Sequence, residues 1–324
     1  MFKVSVVIPV YGVEKYIEKC ARSLFEQTLD SIEFIFIDDC TPDNSIEILA
    51  LIIDEYTNRI KDKNWKVRIE RLPTNSGLPA VRRQGIQLAT GEYIIHCDSD
   101  DYVDSKMYET MYTKADEQNA DIVICDYYAE DGSKEIYRKS VSEKVLSIED
   151  YKVGVITRDV HCSTFTKLIK KELYNKEILY PQDNYGEDSA LVTQLIYYAT
   201  KIVYLPQAFY HYRYNPTSIS KKKGIDAQIK AFSQTCNNAS LIEKFYKTRK
   251  KNERIDKAIM YLKCMERDRI LKLTSQTKYY KMWINAFPEI NLKLLFNPIV
   301  PYKIKMRHIV GLLRLYPIFD KWFH

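Results

Sequence analysis

Two stretches of this 324-residue chain concentrate carboxylates directly behind an apolar run: Asp38-Asp39-Cys40-Thr41-Pro42-Asp43 and Asp98-Ser99-Asp100-Asp101. Groups of one charge held that close repel unless a cation or a donor-rich ligand neutralises them. Carboxylate oxygens are hard ligands that select Mg2+ or Mn2+, so these residues alone point to a metal and phosphate site. A third acidic pair, Glu187-Asp188, succeeds Gly186 and opens an apolar helical stretch, where one of the two suits a helix cap. His211 lies in the aromatic tract Phe209-Tyr210-His211-Tyr212-Arg213-Tyr214. It is either a packed, hydrogen-bonded histidine or a third metal ligand beside Asp98 and Asp100. No G-x-G-x-x-G comes after the first apolar run and no G-x-x-x-x-G-K-[ST] occurs, which sets aside a dinucleotide-binding dehydrogenase and a P-loop NTPase. Phosphates would be met instead by a metal, helped by arginines.

The elements that must position these residues show in the hydrophobic pattern. Short apolar runs at 4–10, 33–37, 67–71, 93–97 and 122–125 alternate with segments of helical period, such as Tyr16, Ile17, Cys20, Ala21 and Leu24. That alternation calls for an α/β fold with a mostly parallel sheet and covering helices. In such a sheet ligands bind beyond the carboxyl ends of the strands, where the acidic runs and Pro9-Val10-Tyr11-Gly12 fall. Asp43, Asn44 and Ser45 can cap the second helix, Pro79 suits a first helical turn, and Ser105 can cap the helix after the fourth strand. Beyond Lys221-Lys222-Lys223-Gly224 the strand signal stops and long polar helical stretches take over. The expected division is therefore a catalytic domain at 1–220 and a helical C-terminal region at 221–324.

The bulk composition narrows the setting. Seven cysteines without a C-x-x-C pair fit neither a disulfide framework nor a zinc site and imply a reducing, cytoplasmic environment. No apolar stretch reaches the length of a membrane span, and the run at 4–10 is too short for a signal-peptide core. The net charge of +6 is modest for the length, and the basic residues accompany no recognised nucleic-acid module, so nucleic acid is not an expected partner.

Four motifs in order carry a resemblance: Val4-Ser5-Val6-Val7-Ile8-Pro9-Val10-Tyr11; Phe34-Ile35-Phe36-Ile37-Asp38-Asp39 with Thr41, Asp43 and Ser45; Asn75-Ser76-Gly77-Leu78-Pro79-Ala80-Val81-Arg82; and Cys97-Asp98-Ser99-Asp100-Asp101. Together they resemble the inverting family 2 glycosyltransferases of GT-A fold. The later tracts Thr166-Lys167-Leu168, Gly186-Glu187-Asp188 and Tyr210-His211-Tyr212-Arg213 resemble the acceptor half of bacterial polysaccharide members. The resemblance covers roughly residues 1–220. It implies that Pro9, Val10 and Tyr11 pack around a nucleobase and that Asp39 accepts a hydrogen bond from it, as a carboxylate can from the N–H of uracil; Asp38 either touches the ligand or orients the loop. It further implies Arg82 near the diphosphate or base, Asp98 and Ser99 near the ribose and sugar, and Asp100 on Mn2+ or Mg2+; Arg213 either contacts a phosphate or is a solvated strand residue. Asp188, or else Glu187, becomes the base that deprotonates the acceptor, and Lys167 either holds that acceptor or covers a strand. Gly12, Ser76, Val81 and Arg83 depart from the usual residues without removing a needed carboxylate.

The resemblance also implies a nucleotide-sugar donor, most readily a UDP-sugar, and a glycan or lipid-linked glycan acceptor in surface polysaccharide synthesis. A sugar-phosphate nucleotidyltransferase is the enzymatic alternative, but it would carry a Gly-rich, basic loop where Tyr11-Gly12-Val13-Glu14 stands. A silent nucleotide-sugar-binding subunit would be expected to lack Asp100, or both Glu187 and Asp188. The tail at 299–324 places Lys303, Lys305, Arg307, Arg314 and Lys321 among aliphatic and aromatic residues. It either packs on the protein or rests peripherally on an anionic membrane at the inner face of the cell.

Overall fold

The structure, a computed structural model, describes residues 1–131, 134–221 and 223–319. Nine strands build one mixed sheet: β1 (Val4–Val10), β2 (Ile32–Asp38), β3 (Lys66–Arg71), β4 (Tyr93–His96), β5 (Tyr102–Val103), β6 (Ile122–Asp131), β7 (Lys134–Arg138), β8 (Lys167–Lys170) and β9 (Ile202–Tyr212). Their order is β3-β2-β1-β4-β8-β6-β9-β5, with β7 paired to β6. The strands β3, β2, β1 and β4 run parallel, and β8 then enters antiparallel to both β4 and β6. The first four expected strands match the observed ones to within a residue at each end. β6 runs six residues past the expected end, and β5, β7, β8 and β9 are additions. These four are short, polar, or broken by Pro206, so their pairing partners rather than their own pattern define them.

Helices cover both faces. α1 (Ile17–Phe25), α2 (Ser45–Glu55), α3 (Thr57–Asp62), α4 (Leu78–Leu88) and α5 (Met107–Gln118) belong to the amino half. α6 (Ile148–Thr157), α7 (Lys171–Tyr174), α8 (Glu187–Tyr198), α9 (Ile225–Lys247) and α10 (Glu253–Arg267) come next. The short α11 (Thr277–Asn285), α12 (Ile290–Lys293), α13 (Tyr302–Leu312) and α14 (Tyr316–Phe319) close the described chain. All seven residues of β2 are buried, and β1 is buried except at Pro9, as expected for parallel strands covered on both faces. Helix α4 lies so close to β1 that a Cβ on Gly85 would overlap Val7 Cγ1. Only glycine permits that approach, and it brings Arg82, one turn earlier on the same helix, over the end of the sheet.

Residues of α9 and α10, among them Ala239, Ile242, Phe245, Ile255, Ala258 and Leu262, share one core with Ile35, Ile94, Ile124 and Leu195. The change near residue 220 is thus a change of secondary structure and not a break in that core. The described part of the tail packs on the protein. His308 is fully buried, Arg307 pairs with Asp268 at 2.8 Å, and Arg314 lies over the Tyr280 ring. Lys321 lies outside the described residues. Among those described, no helix is long and apolar enough to cross a membrane.

Candidate active site

The carboxyl ends of β1 and β4 and the turn after β2 open onto a cleft of about 1030 Å³. Pro9, Val10, Tyr11, Asp39, Asp98, Ser99 and Asp100 line one side of it, and Arg82, Glu187 and Asp188 also face it. Backbone geometry explains how these loops are held. Asp39 accepts N–H bonds from Ser76 at 2.6 Å and Gly77 at 3.0 Å, tying the end of β2 to the start of α4. Asp38 lies outside the cleft lining: it is buried, accepts from the Thr41 N–H at 2.7 Å and faces Arg71 at 3.5 Å. These partners match the loop-orienting one of the two readings the sequence left open for Asp38. Ser99 reaches the cleft, yet its hydroxyl donates to the Pro9 carbonyl at 2.5 Å and thereby locks the turn after β4 onto β1.

Arg82 is the hub. It is 2% exposed, and its guanidinium pairs with Asp98 at 2.7 Å and with both Glu187 and Asp188. Both helices that supply these groups follow a glycine with positive φ, Gly77 at 81° for α4 and Gly186 at 79° for α8; Glu187 and Asp188 open α8, and Arg82 stands just past the first turn of α4. Three carboxylates surround the guanidinium that the resemblance sets near a diphosphate or base. A buried cation organises buried anions, because none could remain charged there unpaired. Burial pushes Glu187 well above the usual carboxylate range even against the pull of Arg82. Burial acts the same way on Asp188, but Arg82 and a hydrogen bond from Glu187 outweigh it and hold Asp188 below its ordinary value. Asp188 is also the more accessible of the pair, its side chain 27% exposed against 3% for Glu187. His96 lies beneath this group fully buried, and burial and then Arg82 hold its pKa down to about 3, so it stays neutral.

Burial raises Asp98 above its ordinary value, Arg82 opposes this, and the neighbouring charge of Asp100 adds to it. A divalent cation would relieve that repulsion, so Asp98 and Asp100 fit Mg2+ or Mn2+ by donor type. One oxygen of Asp100 accepts from the Asn215 amide at 2.8 Å. His211 does not join them. Its ring is stacked on Tyr102 at 4.3 Å, with Nδ1 bonded to Glu135 at 2.6 Å and Nε2 to Asp104 at 3.2 Å. Both ligating nitrogens are occupied, which corrects the metal-ligand reading in favour of the packed histidine. Arg213 is not among the cleft-lining residues; its guanidinium lies over Tyr16 at 5.0 Å and 3.8 Å from Glu130.

The remaining wall comes from residues that carried no sequence signal. His161, Ser163 and Phe165 lie on an irregular segment before β8, and Arg158, Asn184, Asn215, Lys230 and Arg269 lie on further elements or loops. Lys167 explains the first group. Its buried ammonium donates to the carbonyls of His161 at 2.6 Å and Ser163 at 2.8 Å and to the Thr166 hydroxyl at 3.1 Å. It therefore fixes the segment and does not itself face the cleft. Burial lowers its pKa to about 8.

The model of the glycosyl transferase family 2 matches residues 5–183. The chain is 31% identical over 225 residues to the glycosyltransferase EpsJ of Bacillus subtilis, covering 67% of this chain and 63% of that protein. It is 32% identical over 228 residues to the glycosyltransferase GlyG of Streptococcus pneumoniae, covering 67% of this chain and 73% of GlyG. Matched regions thus span about two thirds of these relatives. In structure, residues 1–349 of Staphylococcus aureus TarS with UDP-GlcNAc superpose with a TM-score of 0.76 at 19% identity, covering 99% of this chain and 92% of that one. This likeness establishes the shared GT-A-like fold.

Proposed function

The chain belongs to the family 2 glycosyl transferases, and from that membership we propose that it transfers a sugar from a UDP-sugar, with inversion, to a hydroxyl of a glycan or lipid-linked glycan in surface polysaccharide synthesis. One observation carries the reading: the buried Arg82 joins Asp98 behind β4 to Glu187 and Asp188 on α8, uniting a donor side and a base in one cleft. Asp39 and the Pro9-Val10-Tyr11 wall form a nucleobase pocket with a carboxylate acceptor at its edge. Asp188, charged and reachable, removes the acceptor proton as the oxygen attacks the anomeric carbon. The transition state is oxocarbenium-like, as in glycosidases. Glu187 beneath it acts as a positioning residue. Asp98 and Asp100 would hold Mn2+ or Mg2+, whose chemistry is to neutralise charge on the departing diphosphate. Phe296 and Tyr302 are 85% and 76% exposed, with Lys303 following Tyr302 and Lys293 three residues before Phe296, and support contact with an anionic membrane surface.

The test is a panel of UDP-, GDP- and dTDP-sugars, with and without Mn2+, read by protection against thermal unfolding and by release of nucleotide. UDP-sugars should protect and the divalent ion should strengthen the protection, whereas Asp100→Ala should remove that dependence. Protection by GDP- or dTDP-sugars alone would overturn the donor assignment, and indifference to chelator would overturn the metal. Nucleotide binding without release on any acceptor mixture would favour a silent binding subunit.

A further inference from the structure

The cleft is electrically divided. Around Arg82 gather Asp98, Glu187 and Asp188, with Asp39 and Asp100 nearby on the same lining. Three cations, Arg158, Lys230 and Arg269, line the same cleft, and the transfer chemistry leaves them without a role. The two arginines are a built pair. Glu266 on α10, itself 4% exposed, accepts from Arg158 Nη2 at 2.9 Å and from Arg269 Nε at 2.6 Å. Arg158 also donates through Nη1 to the Ser189 hydroxyl at 2.8 Å, one residue after the proposed base. One buried carboxylate thus aims two guanidinium groups, leaving one net positive charge and free N–H donors, and the exposed Lys230 on α9 adds a second charge. Burial alone would drive Glu266 to neutrality, but Arg269 and Arg158 hold it ionised, below its ordinary value.

Resting on the donor reading above, we propose that Arg158, Arg269 and Lys230 form an acceptor subsite for a phosphate group carried next to the attacked hydroxyl. In an inverting displacement the acceptor approaches from the side opposite the leaving diphosphate. Arg158 is bonded to Ser189, the residue after the proposed base, and is joined to Arg269 through Glu266, which associates the pair with the base and so with the acceptor's side. A planar guanidinium pair matches the oxygens of a phosphate, and a lysine supplies a further point charge. Such a phosphate exists in two sources, a polyol phosphate chain or a lipid diphosphate that carries a sugar.

The experiment titrates the full chain, with and without saturating UDP, with three probes: octyl-diphospho-N-acetylglucosamine, a glycerol phosphate oligomer, and uncharged octyl N-acetylglucosaminide. At least one phosphate-bearing probe should bind about tenfold or more tighter than the neutral one, a difference of about 1.4 kcal/mol. The preferred probe identifies the source, and equal binding of both assigns the site to the phosphate alone. Lys230→Gln and Arg269→Gln change exposed heads rather than the half-buried Arg158, and each should remove most of that advantage while UDP affinity stays within about twofold. No advantage for either charged probe overturns the proposal. So does a loss of UDP affinity in these variants, which would assign the cations to the donor diphosphate. Failure of the native protein to bind UDP would sink the donor reading instead, and the titrations without UDP would still decide the anion site.

Discussion

Replacing Arg82 by methionine keeps most of the side chain's length and apolar body and removes the charge that three carboxylates share. Asp98, Glu187 and Asp188 would then lie together with no cation among them, and Glu187 is already driven toward its neutral form by burial. Removing one partner of a buried ion pair costs about 3–5 kcal/mol. The cost has a ceiling, because a carboxylate can escape by taking up a proton. From an ordinary pKa of about 4 that costs about 4 kcal/mol per group at pH 7 and about 1.4 kcal/mol at pH 5. The protons bound set the sign. In the native protein Asp188 sits below its ordinary value, so its contribution is present at neutral pH and is lost only as pH falls through that lowered value. In the variant Asp188 would be raised and Asp98, already raised in the native protein, raised further, so the variant loses additional stability as pH climbs from about 4. The gap between the two proteins should therefore be about 3–5 kcal/mol at pH 7 and should shrink to about 1–2 kcal/mol at pH 5. Urea unfolding monitored by circular dichroism from pH 5 to 8, with the slope m checked for constancy, measures it. A variant unfolded at pH 7 would still show the trend in the acid arm. A gap that is independent of pH, or below about 1 kcal/mol at pH 7, would refute the view of Arg82 as the charge hub.

Asp188→Asn should bind UDP within about twofold of the native protein and lose about 10²–10⁴ in transfer rate, since the base acts on the acceptor proton and not on the nucleotide; a rate within about tenfold would return the role to Glu187. Lys167→Met should change the alkaline limb of stability. Because burial lowers the folded pKa of Lys167 to about 8, below the ordinary value of about 10.4, the native protein gains stability as pH rises between those values. The variant should lack that gain in urea titrations at about pH 7.5 to 10, and identical limbs would count against the buried ammonium. Gly85→Ala should lower stability by about 1–3 kcal/mol through overpacking against Val7, with UDP affinity reduced as α4 and Arg82 shift; an unchanged melting temperature would show that α4 can move without cost.

Much of the architecture was written in local pattern. Runs of apolar residues marked β1 to β4 because parallel strands buried on both faces need no polar alternation, and the strand ends then placed Asp39, Asp98 and Asp100 on one rim. Motif order was enough to identify the family, and Gly186-Glu187-Asp188 was legible as a helix start. The antiparallel strands were not legible. β8 has four residues and β9 is interrupted by Pro206, so only their neighbours across the sheet define them.

Tertiary structure decided the roles of side chains, because a role depends on which partner is within reach. The sequence set Arg82 near a phosphate or base, and packing of α4 on β1 through Gly85 also brought it to carboxylates more than a hundred residues away on α8. The sequence permitted His211 to bind a metal, and its neighbours Glu135 and Asp104 took both ring nitrogens. The tail kept the composition of a membrane-surface segment, yet α13 buried His308 and fixed Arg307 on Asp268. No spacing rule could bring Arg158, Lys230 and Arg269 to one wall, since they come from separate segments and meet only when α9 and α10 close on the core of the sheet. Residue types and their local order determined what chemistry was available; long-range packing selected which groups meet, since desolvation and charge pairing act through distance in space and not along the chain.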